Sequence, residues 1–365
     1  MYKILIKLLK KNKNNTMIDY FSWGRDKRLM IENNDVMQKI GGTLSKRLTI
    51  KRLMIFFVKR LPINFRVYLM SKKYFGNFGE TQELMSDKYS RTLFAEILLQ
   101  KIIGEKNFKL RSFSRTFIES YEGCVKLFLK SNEEAIFEGW QLKKMKYKDL
   151  TVFSIPSLFN CMISNRLYEY KCSNVHILIE PGDVVIDAGI GWGDTTVFFS
   201  WLTGNIPGSK VIAIDIQKES LRLLDIQRRN NPTLKNITSF QNALSSKDGI
   251  NFNIENNGPG SKAMPSEANN NTNTVESISI DTIVKKNKLK KLNFIKMDIE
   301  GSEVEAILGG RESIQKFKPK LAISAYHKID DLYTIPKLIH SIRSDYKFYL
   351  DCTTGFGGEA ILYCK

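Results

Sequence analysis

Residues 183–194 read Asp-Val-Val-Ile-Asp-Ala-Gly-Ile-Gly-Trp-Gly-Asp. A short β-branched run ends in Asp187; Gly189, Gly191 and Gly193 then alternate, and an apolar, helix-like segment follows. Such a run bounded by glycines reads as a buried parallel strand entering a tight turn. Glycines at this spacing let backbone approach a ligand closely, because a Cβ there would collide with it. Asp187, at the carboxyl end of the strand, is placed to accept hydrogen bonds from a cationic or hydroxylated ligand. The competing reading is a glycine-rich strand-to-helix turn with no ligand at all.

The dinucleotide fingerprint Gly-x-Gly-x-x-Gly/Ala needs a third small residue for close packing of helix on strand. Counted from Gly189 that position is Asp194, whose carboxylate would also face a pyrophosphate, so NAD and FAD are disfavoured. Asp-x-Gly-x-Gly-x-Gly instead resembles the first motif of class I S-adenosylmethionine-dependent methyltransferases. The resemblance implies a cofactor, S-adenosylmethionine, with a sulfonium and an amino-acid tail but no phosphate, for which acidic surroundings are favourable. Lys210–Asp215 is a second apolar strand ending in an acid; an acid about 20 residues past such glycines typically holds ribose hydroxyls. Ile237–Gln241 reads as a third strand leading into Asn242. A polar side chain there commonly hydrogen-bonds the adenine amine in such folds, although turn chemistry alone also favours Asn. The expected cofactor contacts are therefore Asp187, Gly189, Gly191, Gly193, Asp215 and Asn242.

A fourth strand, 292–298, runs into Ile299-Glu300-Gly301-Ser302-Glu303. Asp298, Glu300 and Glu303 would repel one another unless a cation, a partner or solvent relieved them. Glu303 is accounted for by the macrodipole of a helix's first turn, and Ser302 is a candidate N-cap. Asp298 and Glu300 have no such account, and they fall where open α/β sheets hold ligands. Val185–Thr195, Ser279-Ile280-Asp281, Ile295–Glu303 and Tyr326-His327-Lys328 together resemble the FkbM-like methyltransferases, over roughly residues 175–365. The resemblance implies O-methylation of hydroxyls of sugars and natural products. Two departures stand out: the family often has Asn where this chain has Gly191 or Trp192, and its histidine near Cys352 is missing here.

His327 follows an apolar fifth strand, 321–325, so it should emerge at the same sheet edge as Asp187 and Asp298. Imidazole titrates near neutrality and can take the proton of a hydroxyl; a hydrogen-bonded structural histidine is the competing reading. His327, Asp298 and Glu300 are the expected catalytic group. His340 falls inside a helical pattern with Ile335, Leu338, Ile339 and Ile342 and reads as structural; nothing around His176 points to chemistry. Oxygen ligands of the kind hard cations take are present, but no His-x-x-x-Glu or Cys spacing fixes a site, and no metal is expected.

The remaining elements complete an α/β architecture: a doubly wound, seven-stranded class I methyltransferase sheet, last strand antiparallel, with a mainly helical N-terminal extension. Helices are expected over 281–289 and 303–317, the latter stopped by Pro319, and a terminal hairpin from Tyr346–Leu350 and Ala360–Cys364. Residues 256–274 bury little apolar area and should be mobile, as a lid or a solvated insertion. Three regions are expected: a basic arm, 1–73; an accessory region, 74–170; and the Rossmann-like domain, 171–365. In the second, 84–104 reads as a helix with Leu93, Ile97, Leu98 and Ile102 on one stripe, and 150–157 as a strand. Many of the family's relatives have a helical extension with a stretch similar to Asp87-Lys88-Tyr89-Ser90-Arg91; the resemblance implies that this region covers the cofactor side of the sheet and shapes acceptor access.

Five scattered cysteines without a Cys-x-x-Cys pair suggest a reduced, cytoplasmic protein. No apolar run approaches about 18 residues, and the start lacks a signal-peptide cleavage pattern. Of the net charge of +18, residues 1–73 carry +14, with 18 Lys or Arg against 4 Asp or Glu. Apolar patches at 1–9 and 53–61 sit amid these cations. Such segments can lie on an anionic membrane, each basic residue adding about 1 kcal/mol, which would suit a lipid-linked glycan acceptor; packing of the arm on the rest of the chain is the plainer alternative. Nucleic acid would attract the same charge, and a nucleic-acid methyltransferase or binding protein is the alternative function. The fourth strand, however, has neither Asn/Asp-Pro-Pro-Tyr nor a Pro-Cys nucleophile, and a ring of acids seats a phosphate backbone poorly. A small-molecule or glycan acceptor is expected instead.

Overall fold

The computed structural model describes residues 77–103, 108–112, 115–137, 140–172, 174–204, 206–258, 260–265, 273–353 and 359–365. The basic arm and the asparagine-rich stretch 266–272 lie outside them. Seven strands form the central sheet: β1 (Val184–Ala188), β2 (Lys210–Asp215), β3 (Ile237–Gln241), β4 (Phe294–Met297), β5 (Lys320–Ser324), β6 (Phe348–Cys352) and β7 (Ala360–Cys364). Their order is β6-β7-β5-β4-β1-β2-β3. β1 pairs in parallel with β2 and β4, β2 with β3, and β4 with β5. β7 runs antiparallel between β5 and β6. This is the doubly wound sheet with an antiparallel last strand that the sequence predicts.

The pleat divides the core. Ile186, Ile212, Ile295 and Leu321 pack on one face with the helices Ile280–Lys286, Glu303–Leu308, Arg311–Phe317 and Asp331–Ile342. Val185, Val211, Phe294 and Ala322 pack on the other, with Val197, Phe198 and Phe199 of helix Asp194–Leu202 and Leu224 of helix Lys218–Arg229. Successive strand residues point to opposite faces, so near-continuous apolar strands are what a sheet covered on both sides requires.

Four expectations need correction. The helix expected over 303–317 is two helices, broken at Gly309-Gly310. A Cβ on Gly309 would stand 2.1 Å from the carbonyl oxygen of Ser245, and the Gly309 carbonyl accepts the Asp281 amide at 2.9 Å; the chain bends to admit that loop. Helix Lys88–Ile103 shows no single stripe: residues 93–100 are all buried, because Leu93, Phe94 and Leu98 join the sheet's core while Phe78, Phe108 and Leu110 pack in the same cluster. Its Glu96 is held by Arg111, at 2.9 Å from Nε and 2.8 Å from Nη2.

Within the accessory region, Asp87–Arg91 sits at the β6 edge, while Leu158 and Met162 border the cleft at the sheet's carboxyl end. The Tyr89 hydroxyl donates to Asp351 at 2.7 Å, the Ser90 hydroxyl accepts the Leu350 amide at 2.9 Å, and Tyr170 donates to Asp87 at 2.6 Å. In the accessory region, expected to be mainly helical, Glu134–Phe137, Trp140–Tyr147 and Leu150–Ser154 form a three-stranded antiparallel sheet, of which the sequence predicts only the last strand. That sheet is tied to the main domain by Gln227, which exchanges hydrogen bonds of 2.9 and 2.8 Å with the Phe153 backbone, and by Trp192, whose ring lies 5.6 Å from that of Trp140.

Within the expected mobile segment, Lys262–Pro265 pairs with Asn251–Glu255, which pairs in turn with Thr274–Ile278. Backbone pairing orders residues whose side chains bury little. His340 lies in helix Asp331–Ile342, 6.2 Å from the ring of Phe348, and His176 lies on a short strand paired with Lys171.

Candidate active site

The turn after β1 is left-handed at each glycine, with φ of +77° at Gly189, +53° at Gly191 and +75° at Gly193. A Cβ on Gly189 would lie 1.8 Å from the Asp298 carbonyl oxygen, and one on Gly193 2.9 Å from Leu224 Cα. The protein's own packing, not a ligand, demands those two glycines. Gly191 alone of the three opens to free space, and it borders the cleft.

Asp187 does not reach that cleft; it is fully buried beneath the turn. Its Oδ2 accepts the hydroxyls of Thr195 and Thr196 at 2.9 and 2.6 Å, and its Oδ1 faces the equally buried Lys296 ammonium at 3.2 Å. Lys296 also donates to the carbonyls of Ala188 and Gly189 and lies over the Tyr168 ring. This cation fixes the floor of the turn. Sequence reasoning missed it, although a lone lysine in an otherwise apolar buried strand must find a carboxylate.

Asp215, ending β2, ties the turn to its neighbour. Oδ2 accepts the amides of Ile190 and Gly191 at 3.0 and 3.3 Å, and Oδ1 accepts that of Gln217 at 2.9 Å. Burial pushes its carboxyl up to about 6 against the pull of those hydrogen bonds. A carboxylate has about four acceptor positions, so one remains toward the cleft that Asp215 lines. Asn242 lines it too; its Nδ2 donates to the Glu276 carbonyl at 2.9 Å, leaving the side-chain oxygen as an acceptor. The cleft, of about 250 Å³, is walled by Leu158, Met162 and Tyr168 and roofed by Phe252, Ser261 and Ala263 of the hairpin.

At the other end stand the acids after β4. The Asp298 oxygens accept the hydroxyls of Tyr168 and Tyr326 at 2.9 and 3.0 Å. Glu300 holds a left-handed backbone, φ +56°, a strained conformation for a residue with a side chain. Ser302 occupies the N-cap position but makes no capping bond. Glu303 reaches back instead and accepts the amides of Ile299 and Gly301 at 3.0 and 3.4 Å. It is buried, so the helix dipole is not its whole account.

His327 does arrive here. Nε2 lies 3.3 Å from Asp298 and 3.6 Å from Glu300, and Nδ1 3.1 Å from Glu303. Burial opposes charging the ring, but the carboxylates of Glu300, Glu303 and Asp298 outweigh it and push its pKa up to about 10. The ring therefore holds its proton at neutral pH. Glu359, which sequence reasoning did not single out, also lines this end. Burial, then the charge of Asp298, push its carboxyl up to about 7, against a hydrogen bond with Cys161.

Residues 185–345 match the family model described as the methyltransferase FkbM domain. Those residues are similar to an FkbM methyltransferase domain. The lining of the cleft fits S-adenosylmethionine, the cofactor that the sequence motif implies: Gly191 presents a face that no Cβ fills, and Asp215 and Asn242 offer acceptors where a phosphate would need donors. Among solved structures, the FkbM methyltransferase from Methylobacillus flagellatus is 21% identical, with 82% of this chain and 62% of that one covered at a TM-score of 0.49. The chain thus spans less than two thirds of that structure's length. Aeropyrum pernix fibrillarin, solved with natively bound S-adenosyl-L-methionine, is 10% identical over 65% of this chain and 99% of that one, at a TM-score of 0.34. No curated protein sequence matches this chain. Among the described residues no helix is long and apolar enough to cross a membrane.

Proposed function

We propose that the protein is an S-adenosylmethionine-dependent O-methyltransferase acting on a hydroxyl of a sugar, glycan or related polyol. The observation that carries this reading is a single cleft with two unlike ends. The glycine turn, Asp215 and Asn242 form one, and Asp298, Glu300, Tyr326 and Glu359 the other. When bound, the cofactor supplies an electrophilic methyl group on a sulfonium. Asp215 accepts from ribose hydroxyls through its remaining lone pair, and the Asn242 side-chain oxygen accepts from the adenine amine. Gly191 lets the backbone approach, while Asp187 and Lys296 hold the turn from below.

A hydroxyl attacking a sulfonium methyl must lose its proton as the C–O bond forms. An imidazolium cannot take it, so His327 serves as a fixed positive charge between Asp298 and Glu300 and orients them toward the acceptor. The proton passes to Glu359, whose affinity for it lies near operating pH, where a general base is most effective. Hydroxyl-rich acceptors suit this lining, since carboxylates accept their hydrogen bonds; a phosphate backbone would be repelled by it.

Calorimetric titration with the demethylated cofactor, S-adenosylhomocysteine, tests the first half of the reading. Mass-spectrometric detection of methyl transfer to a panel of saccharides, lipid-linked saccharides and RNA tests the second. Transfer to the saccharides is expected. Transfer to RNA alone would replace it with the nucleic-acid reading, and no heat with millimolar ligand would end both.

A further inference from the structure

Asp298 and Glu303 follow β4 and His327 follows β5, and the fold brings one donor atom from each within 4.8 Å of the others. The imidazole is 6% exposed and the Glu303 side chain 1%. Yet Nδ1 and Nε2 of the ring and Oε2 of Glu303 make no hydrogen bond; the close carboxylates approach the ring outside hydrogen-bonding directions. Buried polar atoms in native proteins are almost always partnered, and an exception calls for a reason such as a bound ion. Charge adds to the argument. Three carboxylates surround one imidazole; the Lys262 ammonium stands 3.9 Å from Glu300 at the exposed side, and that of Lys328 is spent on the Gly301 carbonyl.

We propose that Asp298, Glu303 and His327 form a binding site for a divalent cation, with Glu300 able to add an oxygen; the ion displaces the proton that the ring holds in its absence and takes over its positive charge. One imidazole nitrogen among carboxylate oxygens is a donor set for a first-row ion of intermediate hardness, Mn²⁺ or Zn²⁺, rather than for Ca²⁺. Sequence spacing concealed the site because its nitrogen comes from the next strand. Asp298 and Glu300 line the cleft, so coordination positions not filled by protein face the end where an acceptor hydroxyl is placed. That last role rests on the O-methylation reading; cation binding does not.

The test uses the full-length chain, stripped with a chelator and titrated with Mn²⁺ under electron paramagnetic resonance. One ion per chain should bind, with spin-echo modulation from an imidazole nitrogen. His327→Gln should abolish that modulation and weaken binding at least about tenfold, whereas His176→Gln and His340→Gln, remote from the cluster, should keep it. The last two variants identify the ligand even if His327→Gln fails to fold. No Mn²⁺ uptake at millimolar concentration, bound Mn²⁺ without nitrogen coupling, or coupling that survives His327→Gln would overturn the site and leave a protonated ring clamped by acids. S-adenosylhomocysteine calorimetry on the same samples keeps the two readings apart: heat with the cofactor product but no Mn²⁺ binding overturns only the cation site.

Discussion

Lys296 and Asp187 show how a single side chain can be read for the wrong task. Asp187 has the residue type and position of a ligand contact, but its acceptors are consumed by two threonines and a buried ammonium. Removing one partner of such a pair leaves an uncompensated charge in the core and costs roughly 3–5 kcal/mol. Lys296→Met should lower stability by that amount in urea denaturation; an unchanged midpoint would mean that the pair carries no such load. Glu359 provides the complementary case. As base it must be ionised, so kcat/KM should rise as pH climbs through about 7, and Glu359→Gln should reduce kcat about 10²-fold and flatten that limb. Affinity for S-adenosylhomocysteine should stay unchanged in the variant, since Glu359 stands at the acceptor end.

Elements behave differently from residues because their periodicity is local. The strands β1 to β5 and the helices that follow them are legible as apolar runs ended by glycine or acid, and the antiparallel closing pair as β-rich runs at the end of the chain. Breaks and burial on all sides are not legible. Gly309 falls inside the helix expected over 303–317, yet the Ser245 carbonyl occupies the space of its Cβ. Gly309→Ala should therefore destabilise by about 1–3 kcal/mol through overpacking, while leaving cofactor affinity intact at temperatures where the variant is folded. Gly191→Ala meets open space but carries a left-handed backbone, a conformation worth roughly 1–2 kcal/mol against alanine. Its larger effect should be weakened S-adenosylhomocysteine binding. Thermal melts with and without that ligand separate the two: the ligand-induced shift should persist in Gly309→Ala and shrink in Gly191→Ala. Helix Lys88–Ile103 was legible as a helix but not as one buried on every side, because the layer covering it lies elsewhere in the chain.

At the level of the molecule, charge is the property most unevenly shared. The arm 1–73 holds +14 of the +18, and it precedes a domain whose cleft is lined by acids. Full-length protein should sediment with vesicles containing anionic lipid at low salt and be released at high salt, as counterion screening requires. Neutral vesicles should not retain it, and a chain lacking residues 1–73 should lose the effect; equal retention by neutral vesicles would refute an electrostatic attachment.

The succession of strands along the chain, the glycine turn and the acids at the ends of β2 and β4 could all be read from the linear chain, because burial on a sheet and left-handed turns leave their mark within a dozen neighbouring residues. Assembly alone settled which acids face the cleft and which are locked under it. It also settled that the ring of His327 stands among Asp298, Glu300 and Glu303, and that Glu359 lines the same end of the cleft. These pairings run between separate strand ends, and their energies depend on burial and on charges brought close by right-handed crossovers. No local pattern of residue types encodes distances of that kind.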